Sequence, residues 1–236
     1  MLPDSARRRL LAAGQTVSLA VGQSIGRPGE PIRFVYFPLT ACFSITSTLS
    51  DLQTLQVAMI GREGMWGVPI MLGMAHPAEA ASVQGAGEAV RLPTAAFKAA
   101  LRSQPALRRV IDRYVAVMLA QSSLSTACLN YHRLSLRLAR WLLMTQDRAG
   151  MSVFSVTHES LAKGLGVRRG GVTQAAGRLQ SAGLISYSRG KLSVLDRKGL
   201  KAAACACYGT QELAYRRTMK LDVANDSDPL TDRPAA

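Results

Sequence analysis

Between Val167 and Ser181 the chain carries Arg168, Arg169, Gly170, Thr173, Gln174 and Arg178 at spacings that gather on one side of a helix. These are residue types that read nucleic acid. An arginine fork donates two hydrogen bonds to guanine, a glutamine amide pairs in the same way with adenine, and threonine offers a hydroxyl to phosphate or a methyl contact to thymine. Arg169 is the expected base reader of the set. The alternative is that Arg168 and Arg169 only contact phosphates, since phosphate and sugar receive about half or more of the hydrogen bonds in such interfaces. Gly170 and Gly171 are unusual inside a helix, where each costs about 1 kcal/mol relative to alanine. Either the backbone must come close to its partner there, or the helix orders on binding. A little further on, Arg189 and Lys191 bracket Gly190 between two alternating runs, a hairpin with a basic tip suited to the phosphate backbone.

A second group of residues could do different chemistry. Cys128 and His132 stand one helical turn apart, and Cys205 and Cys207 follow far downstream, so a thiol or metal sensor joining them is one reading. Buried, reduced thiols and a hinge histidine are the commoner outcome of such spacing, and no metal ligand or cofactor is assigned. With Cys42 the chain has four cysteines, neither dense enough for a secreted disulfide scaffold nor paired as in a zinc ribbon. No Ser or Cys is set with His, Asp or Glu in a way that suggests catalysis, so the chain reads as a non-enzyme.

The elements that must position these residues follow from local pattern. Thr157 can cap a first helix from about His158 to Gly164, and it is counted with the candidate DNA-contacting residues. Ala162 is small where two helices would cross, and Gly166 stands where a left-handed turn is needed. Leu161, Leu165, Val172 and Leu179 supply the apolar contacts between the helices. The second helix is predicted from Val167 to Ser181, and a hairpin over 183–196 turns at Arg189 and Gly190 as a wing. Upstream, a helix over Leu134 to Gln146 has an apolar stripe and carries Arg133, Arg137 and Arg140 on another, solvated side.

A long helix starting near Pro105 places Leu107, Val110, Tyr114, Val117, Gln121, Leu124 and Cys128 at alternating spacings of three and four, a seam for a second copy of the chain. The alternative is that this face packs on the chain's own amino-terminal domain. A shorter helix is predicted over Thr94 to Ser103. Before it, β-prone runs at Thr16 to Ala20, Arg33 to Phe37, Cys42 to Thr48, Thr54 to Ile60, Ala81 to Gly85 and Glu88 to Leu92 are punctuated by glycines, a pattern for a sandwich or barrel.

Charge supports the nucleic-acid reading. The net charge is +14, and residues 131–220 hold 16 Lys or Arg against 4 Asp or Glu, so nearly all of the excess sits in the segment with the helix-turn-helix pattern. A membrane-surface role is disfavoured because the basic residues do not lie along one amphipathic face. No run of about 20 apolar residues and no signal-peptide pattern is seen, so the expected location is the cytoplasm, away from membrane.

Arg137-Leu-Ala-Arg-Trp-Leu-Leu-Met144, Leu161-Ala-Lys-Gly-Leu-Gly-Val-Arg-Arg169, Leu179-Gln-Ser-Ala-Gly-Leu-Ile-Ser-Tyr-Ser-Arg-Gly190 and Leu195-Asp-Arg-Lys-Gly-Leu200, in this order, resemble the CRP/FNR superfamily of bacterial transcription regulators. Ile60-Gly-Arg-Glu-Gly-Met-Trp-Gly67 is similar to the turn before that family's effector pocket. The resemblance implies an α+β fold with four parts. These are an antiparallel, jelly-roll-like β-roll of the cyclic-nucleotide-binding type over 1–103, a dimerisation helix over 104–132, a winged helix-turn-helix over 133–212 and a mobile tail over 213–236. It implies double-stranded DNA, a second copy of the chain and RNA polymerase as partners. The family's base-reading arginine falls on Arg169, its neighbouring acidic contact on Gly170 and a further contact on Gln174.

The effector site departs from the members that bind cyclic AMP. Gly67 is followed by Val68 rather than glutamate, and no arginine lies between Arg62 and Arg91 to neutralise a cyclic phosphate. The effector is therefore open and expected not to be cyclic AMP. The rival reading is a constitutive or thiol- or metal-responsive regulator with a structural β-roll.

Overall fold

A computed structural model describes residues 4–49 and 53–219. After α1 (Asp4–Ala12) come β1 (Gln15–Leu19), β2 (Ser24–Gly26), β3 (Phe34–Pro38), β4 (Cys42–Thr48), β5 (Thr54–Ile60), a short α2 (Val68–Met71), β6 (Ala80–Gly85) and β7 (Gly87–Pro93). They form two antiparallel sheets, ordered β1-β7-β3 and β2-β6-β4-β5. Phe43 pairs with Ile60 on one side and Val83 on the other, and these join Val35, Leu92 and Phe97 in the amino-terminal core. α1, α2 and β2 lie outside the predicted runs.

α3 (Thr94–Ser103) follows, then α4 (Pro105–Tyr131), with Pro105 in the first turn where its missing N–H costs nothing. The expected seam along α4 is mostly covered by the chain itself. Leu107 and Tyr114 belong to the β-roll core together with Ile111, while Val117 and Cys128 are 1% and 2% exposed. Side chains already buried in this way cannot also form an interhelical seam. The reading of this face as packed on the chain's own amino-terminal domain holds for Leu107 and Tyr114; Val117 is buried too, Cys128 packs against Cys205 and Cys207 beside α9, and Val110, Gln121 and Leu124 are half-buried. Gly64 shows how closely the helix sits: a Cβ there would stand 2.0 Å from the Tyr114 hydroxyl oxygen.

His132, extended at φ −106° and ψ 137°, breaks the helix before α5 (Leu134–Ala149). The carboxy-terminal domain continues with β8 (Val153–Ser155), α6 (His158–Leu165), α7 (Arg169–Ser181), β9 (Ile185–Ser188), β10 (Lys191–Val194), α8 (Arg197–Ala202) and α9 (Cys207–Thr218). Its second core runs through Leu138, Leu142, Leu161, Val172, Leu192 and Tyr208, and its sheet is ordered β8-β10-β9. The helix α9 passes the boundary expected at 212 and buries Leu213, so the tail does not begin there. The rest of the expected tail lies outside the described residues.

This domain is docked on the β-roll. The Trp141 indole N–H donates to Gln56 Oε1 at 2.6 Å, and the Tyr215 hydroxyl donates to the Glu63 carbonyl at 3.0 Å. Arg148 pairs with Glu63 at 2.8 Å while its Nε also donates to the Met59 carbonyl at 3.1 Å. The expected solvated arginine face on α5 is corrected at two of its three positions. Arg140 is 7% exposed, and Arg137 is half-buried and donates to the Leu165 carbonyl that ends α6.

Candidate nucleic-acid interface

Thr157 starts the interface as the cap of α6. Its hydroxyl accepts from the Ser160 backbone N–H at 3.0 Å, and the Ser160 hydroxyl accepts from the Thr157 N–H at 3.0 Å, a reciprocal capping box. At the other end Gly166 takes φ +64°, the left-handed conformation that lets the chain turn directly into the second helix. Leu161, Ala162 and Leu165 of α6 pack against Val172, Ala175, Ala176 and Leu179 of α7, where the small alanines allow a close crossing.

α7 begins at Arg169, two residues later than the sequence pattern suggests. Arg168 is extended (φ −72°, ψ 143°) and caps the helix through its backbone position alone. Behind it the apolar side is buried. Facing solvent are Arg169, Gly170, Thr173, Gln174, Gly177 and Arg178, spaced by one, three and four so that they form one stripe. Both glycines are helical in the free chain, so ordering on binding is not needed to explain them. Gly171 faces α5, where a Cβ would lie 3.1 Å from Leu134; Gly170 faces open space and leaves the helix backbone bare beside Arg169.

His158, which the sequence reading missed, ties the interface together. Its Nδ1 is hydrogen-bonded to the Thr173 hydroxyl at 3.0 Å, and its ring stacks on Tyr187 of β9 with centroids 4.4 Å apart. One side chain thus links α6, α7 and the wing. Burial and then the neighbouring charge of Arg169 lower its pKa, favouring the neutral ring. The Thr173 hydroxyl also donates to the Arg169 carbonyl at 3.2 Å, so the hydroxyl's partners lie within the chain. The one available sequence signal for His158 was its place next to the cap.

β9 and β10 turn through Arg189 and Gly190, at φ +48° and +77°, the primed-turn geometry that suits a two-residue hairpin. Arg189 is the one non-glycine residue with positive φ among the described residues, so a strained position carries the charge at the wing tip. Lys191 is exposed beside it. Among the described residues no ion pair involves Arg168, Arg169, Arg178, Arg189 or Lys191, which leaves a cationic surface without its own carboxylates.

Away from this surface the structure brings Cys128, His132, Cys205 and Cys207 together, their ligand atoms all within 4.8 Å of one another. Cys42 is separate from them, its thiol pushed up to about 12 chiefly by burial, which makes it inert. A cavity of about 480 Å³ lies between β5, α4 and α5, lined by Met59, Tyr114, Met118, Arg137, Arg140 and Trp141 among others. Among the described residues no helix is long and apolar enough to cross a membrane.

The described residues thus form a two-sheet β-roll, a long helix and a winged helix-turn-helix whose basic face makes no ion pair among them. Residues 136–203 match the Crp-like helix-turn-helix domain. A putative CRP/FNR-family transcriptional regulator from Eubacterium rectale has the same fold at a TM-score of 0.66 and 16% identity, covering 86% of this chain and 94% of that one. FixK2 from Bradyrhizobium japonicum matches at a TM-score of 0.68 and 17% identity, covering 82% and 98%. The transcriptional regulator SdrP from Thermus thermophilus is 32% identical over 106 residues, 42% of this chain and 52% of that protein, so the match spans about half the length of that relative. The chain carries the fold of the CRP/FNR-family structures, with a Crp-like helix-turn-helix domain in its carboxy-terminal part.

Proposed function

We propose that the chain is a sequence-specific DNA-binding transcription regulator of the CRP/FNR type, acting as a homodimer. In this reading the two α7 helices enter successive major-groove faces of a palindromic site, about 34 Å apart. The observation that carries the proposal is the stripe of Arg169, Gly170, Thr173, Gln174 and Arg178, exposed on a helix packed from behind and free of carboxylate partners among the described residues. Arg169 reads a base, Gln174 reads the next reachable edge, and Arg168, Arg178, Arg189 and Lys191 hold the phosphates.

The dimer forms through the side of α4 that the β-roll leaves uncovered. Ala116, Leu119, Ala120, Ser123 and Ala127 are exposed there at spacings of three and four, Leu119 to 66%, and the small residues allow close approach of a second helix. The signal acts at the cavity between β5, α4 and α5. A cyclic phosphate is a poor fit for the β-roll, which offers no arginine between Arg62 and Arg91. Selection of binding sites from a random duplex library, followed by footprinting, tests the proposal. A palindromic protected site is expected; equal affinity for all sequences would refute it.

A further inference from the structure

Cys128 and His132 end α4, and Cys205 and Cys207 flank the start of α9, more than seventy residues downstream. In the fold they converge. Cys128 Sγ lies 3.6 Å from Cys205 Sγ, and Cys207 Sγ lies 3.5 Å from His132 Nδ1. A tetrahedral ion with bonds of about 2.3 Å to sulfur and 2.1 Å to imidazole holds its ligand atoms roughly 3.5–3.8 Å apart. The two short pairs are already at that spacing, and the widest, within 4.8 Å, needs to close by about 1 Å. Ligands this close wrap one ion and leave no room for a cluster of several irons. Three thiols and an imidazole suit a thiophilic cation, whereas magnesium and calcium require oxygen donors that this set lacks.

A second observation is electrostatic. Arg140 is 7% exposed, yet no carboxylate pairs with it among the described residues. One of its terminal nitrogens donates to Gln211 Oε1 at 2.6 Å and Ser125 Oγ at 3.3 Å, while its Nε is buried with no acceptor there. An isolated buried guanidinium is costly. One divalent ion bound by three thiolates and a neutral imidazole carries a net single negative charge, the counter-charge that Arg140 lacks.

We propose that Cys128, His132, Cys205 and Cys207 bind one tetrahedral divalent cation of the zinc class, and that this ion pins the hinge between α4 and α5 to the α8–α9 corner. Four protein ligands leave no open position, as in structural rather than catalytic sites. The three cysteines are buried while His132 is half-buried, so the ion enters from the histidine side. Binding replaces thiol protons, up to three of which pass to solvent, and changes no oxidation state.

The test uses the full chain, purified under reductant, loaded with Zn²⁺ or Co²⁺ and desalted. The expected results are one ion per protomer and, with Co²⁺, the intense visible bands of a tetrahedral site together with thiolate-to-metal charge transfer. C205S/C207S should lose the ion while keeping its helical circular dichroism, and R140Q should bind at least several-fold more weakly with an unchanged Co²⁺ spectrum. Zinc should also slow deuterium exchange around His132. Less than about a tenth of an ion per protomer in the folded wild type, an octahedral Co²⁺ spectrum, or a Cys128–Cys205 disulfide in place of metal would each overturn the site. Because the wild-type stoichiometry and spectrum stand without the variants, a misfolded variant does not remove the test. Hinge exchange that ignores zinc would overturn the pinning.

Discussion

Replacing Arg169 and Lys191 by alanine, one at a time, separates base reading from phosphate holding. Lys191 opens β10 at the wing, exposed and without an ion pair among the described residues, so its loss removes one cation per protomer and two from the proposed dimer. With a slope of about 0.9 per phosphate neutralised, the salt dependence of binding should fall by about 1.8. Raising salt fourfold, from about 50 to 200 mM, should therefore weaken the wild type about 12-fold more than K191A, on the selected site and on random DNA alike. Arg169 stands in the first turn of α7 beside bare backbone at Gly170, where a guanidinium can reach a base edge. Its loss should cost about 1–3 kcal/mol per half-site, hence at least about 30-fold for the dimer on the selected site, and much less on a scrambled duplex. Fluorescence anisotropy titrations on both duplexes across a salt series give all four numbers. Equal losses on both duplexes from R169A, with a slope change matching that of K191A, would show that Arg169 only holds phosphate.

Three further perturbations probe the frame around that contact. Ala120→Asp puts a charge on the exposed side of α4 and should yield folded monomers in sedimentation; Val117→Asp, at a position 1% exposed within its own chain, should lower the melting temperature instead, and a dimer unchanged by A120D would refute the proposed face. Arg189→Gly should raise the melting temperature, since a left-handed non-glycine residue costs about 1–2 kcal/mol, while weakening DNA binding through the lost charge; a lower melting temperature would argue against strain at the wing. The pKa of His158 is lowered in the fold, so its contribution to stability is complete above the ordinary value of 6.5 and is lost as pH falls through the lowered value. Melting temperatures followed below pH 6.5 should thus decline less in His158→Gln than in the wild type, and parallel declines would contradict the assignment.

The parts of the fold that were legible in the sequence are those set by local pattern. β4 and β5 fall where alternation places them, and α3 has its expected limits because Pro93 and Pro105 bracket it. The start of α7 was misplaced by two residues because apolar periodicity includes Val167, whereas the left-handed Gly166 and extended Arg168 delay the first helical turn. The seam on α4 shows a deeper limit. A period of three and four says that a helix has an apolar side, not what covers it, and Leu107 and Tyr114 are covered by strands from the same chain. Likewise, the turn-spaced Cys128 and His132 carry no local sign that Cys205 and Cys207 return to them from α9, a contact made only by tertiary packing. Arg140 read as solvated for the same reason: its partners, Ser125 and Gln211, come from the neighbouring helices α4 and α9.

In the proposed dimer, the distance between the two α7 helices would be set by the joint between α4 and the winged domain, and that joint is held at two ends. At one end Trp141, Arg148 and Tyr215 all reach β5 or the turn that follows it, through Gln56, Met59 and Glu63. At the other, the cysteine–histidine cluster lies where α4 stops and α9 begins. Between them the second core is continuous from Leu138 of α5 to Tyr208 of α9, so α7 and the wing are packed to α5 through one shared core. A body held at both ends of its hinge cannot turn until one end lets go. The cavity beside Trp141 adjoins the first end and the thiol cluster forms the second. In the proposed regulator, a signal that moves α7 would therefore act on one of these two ends and leave the stripe of Arg169, Thr173 and Gln174 unchanged.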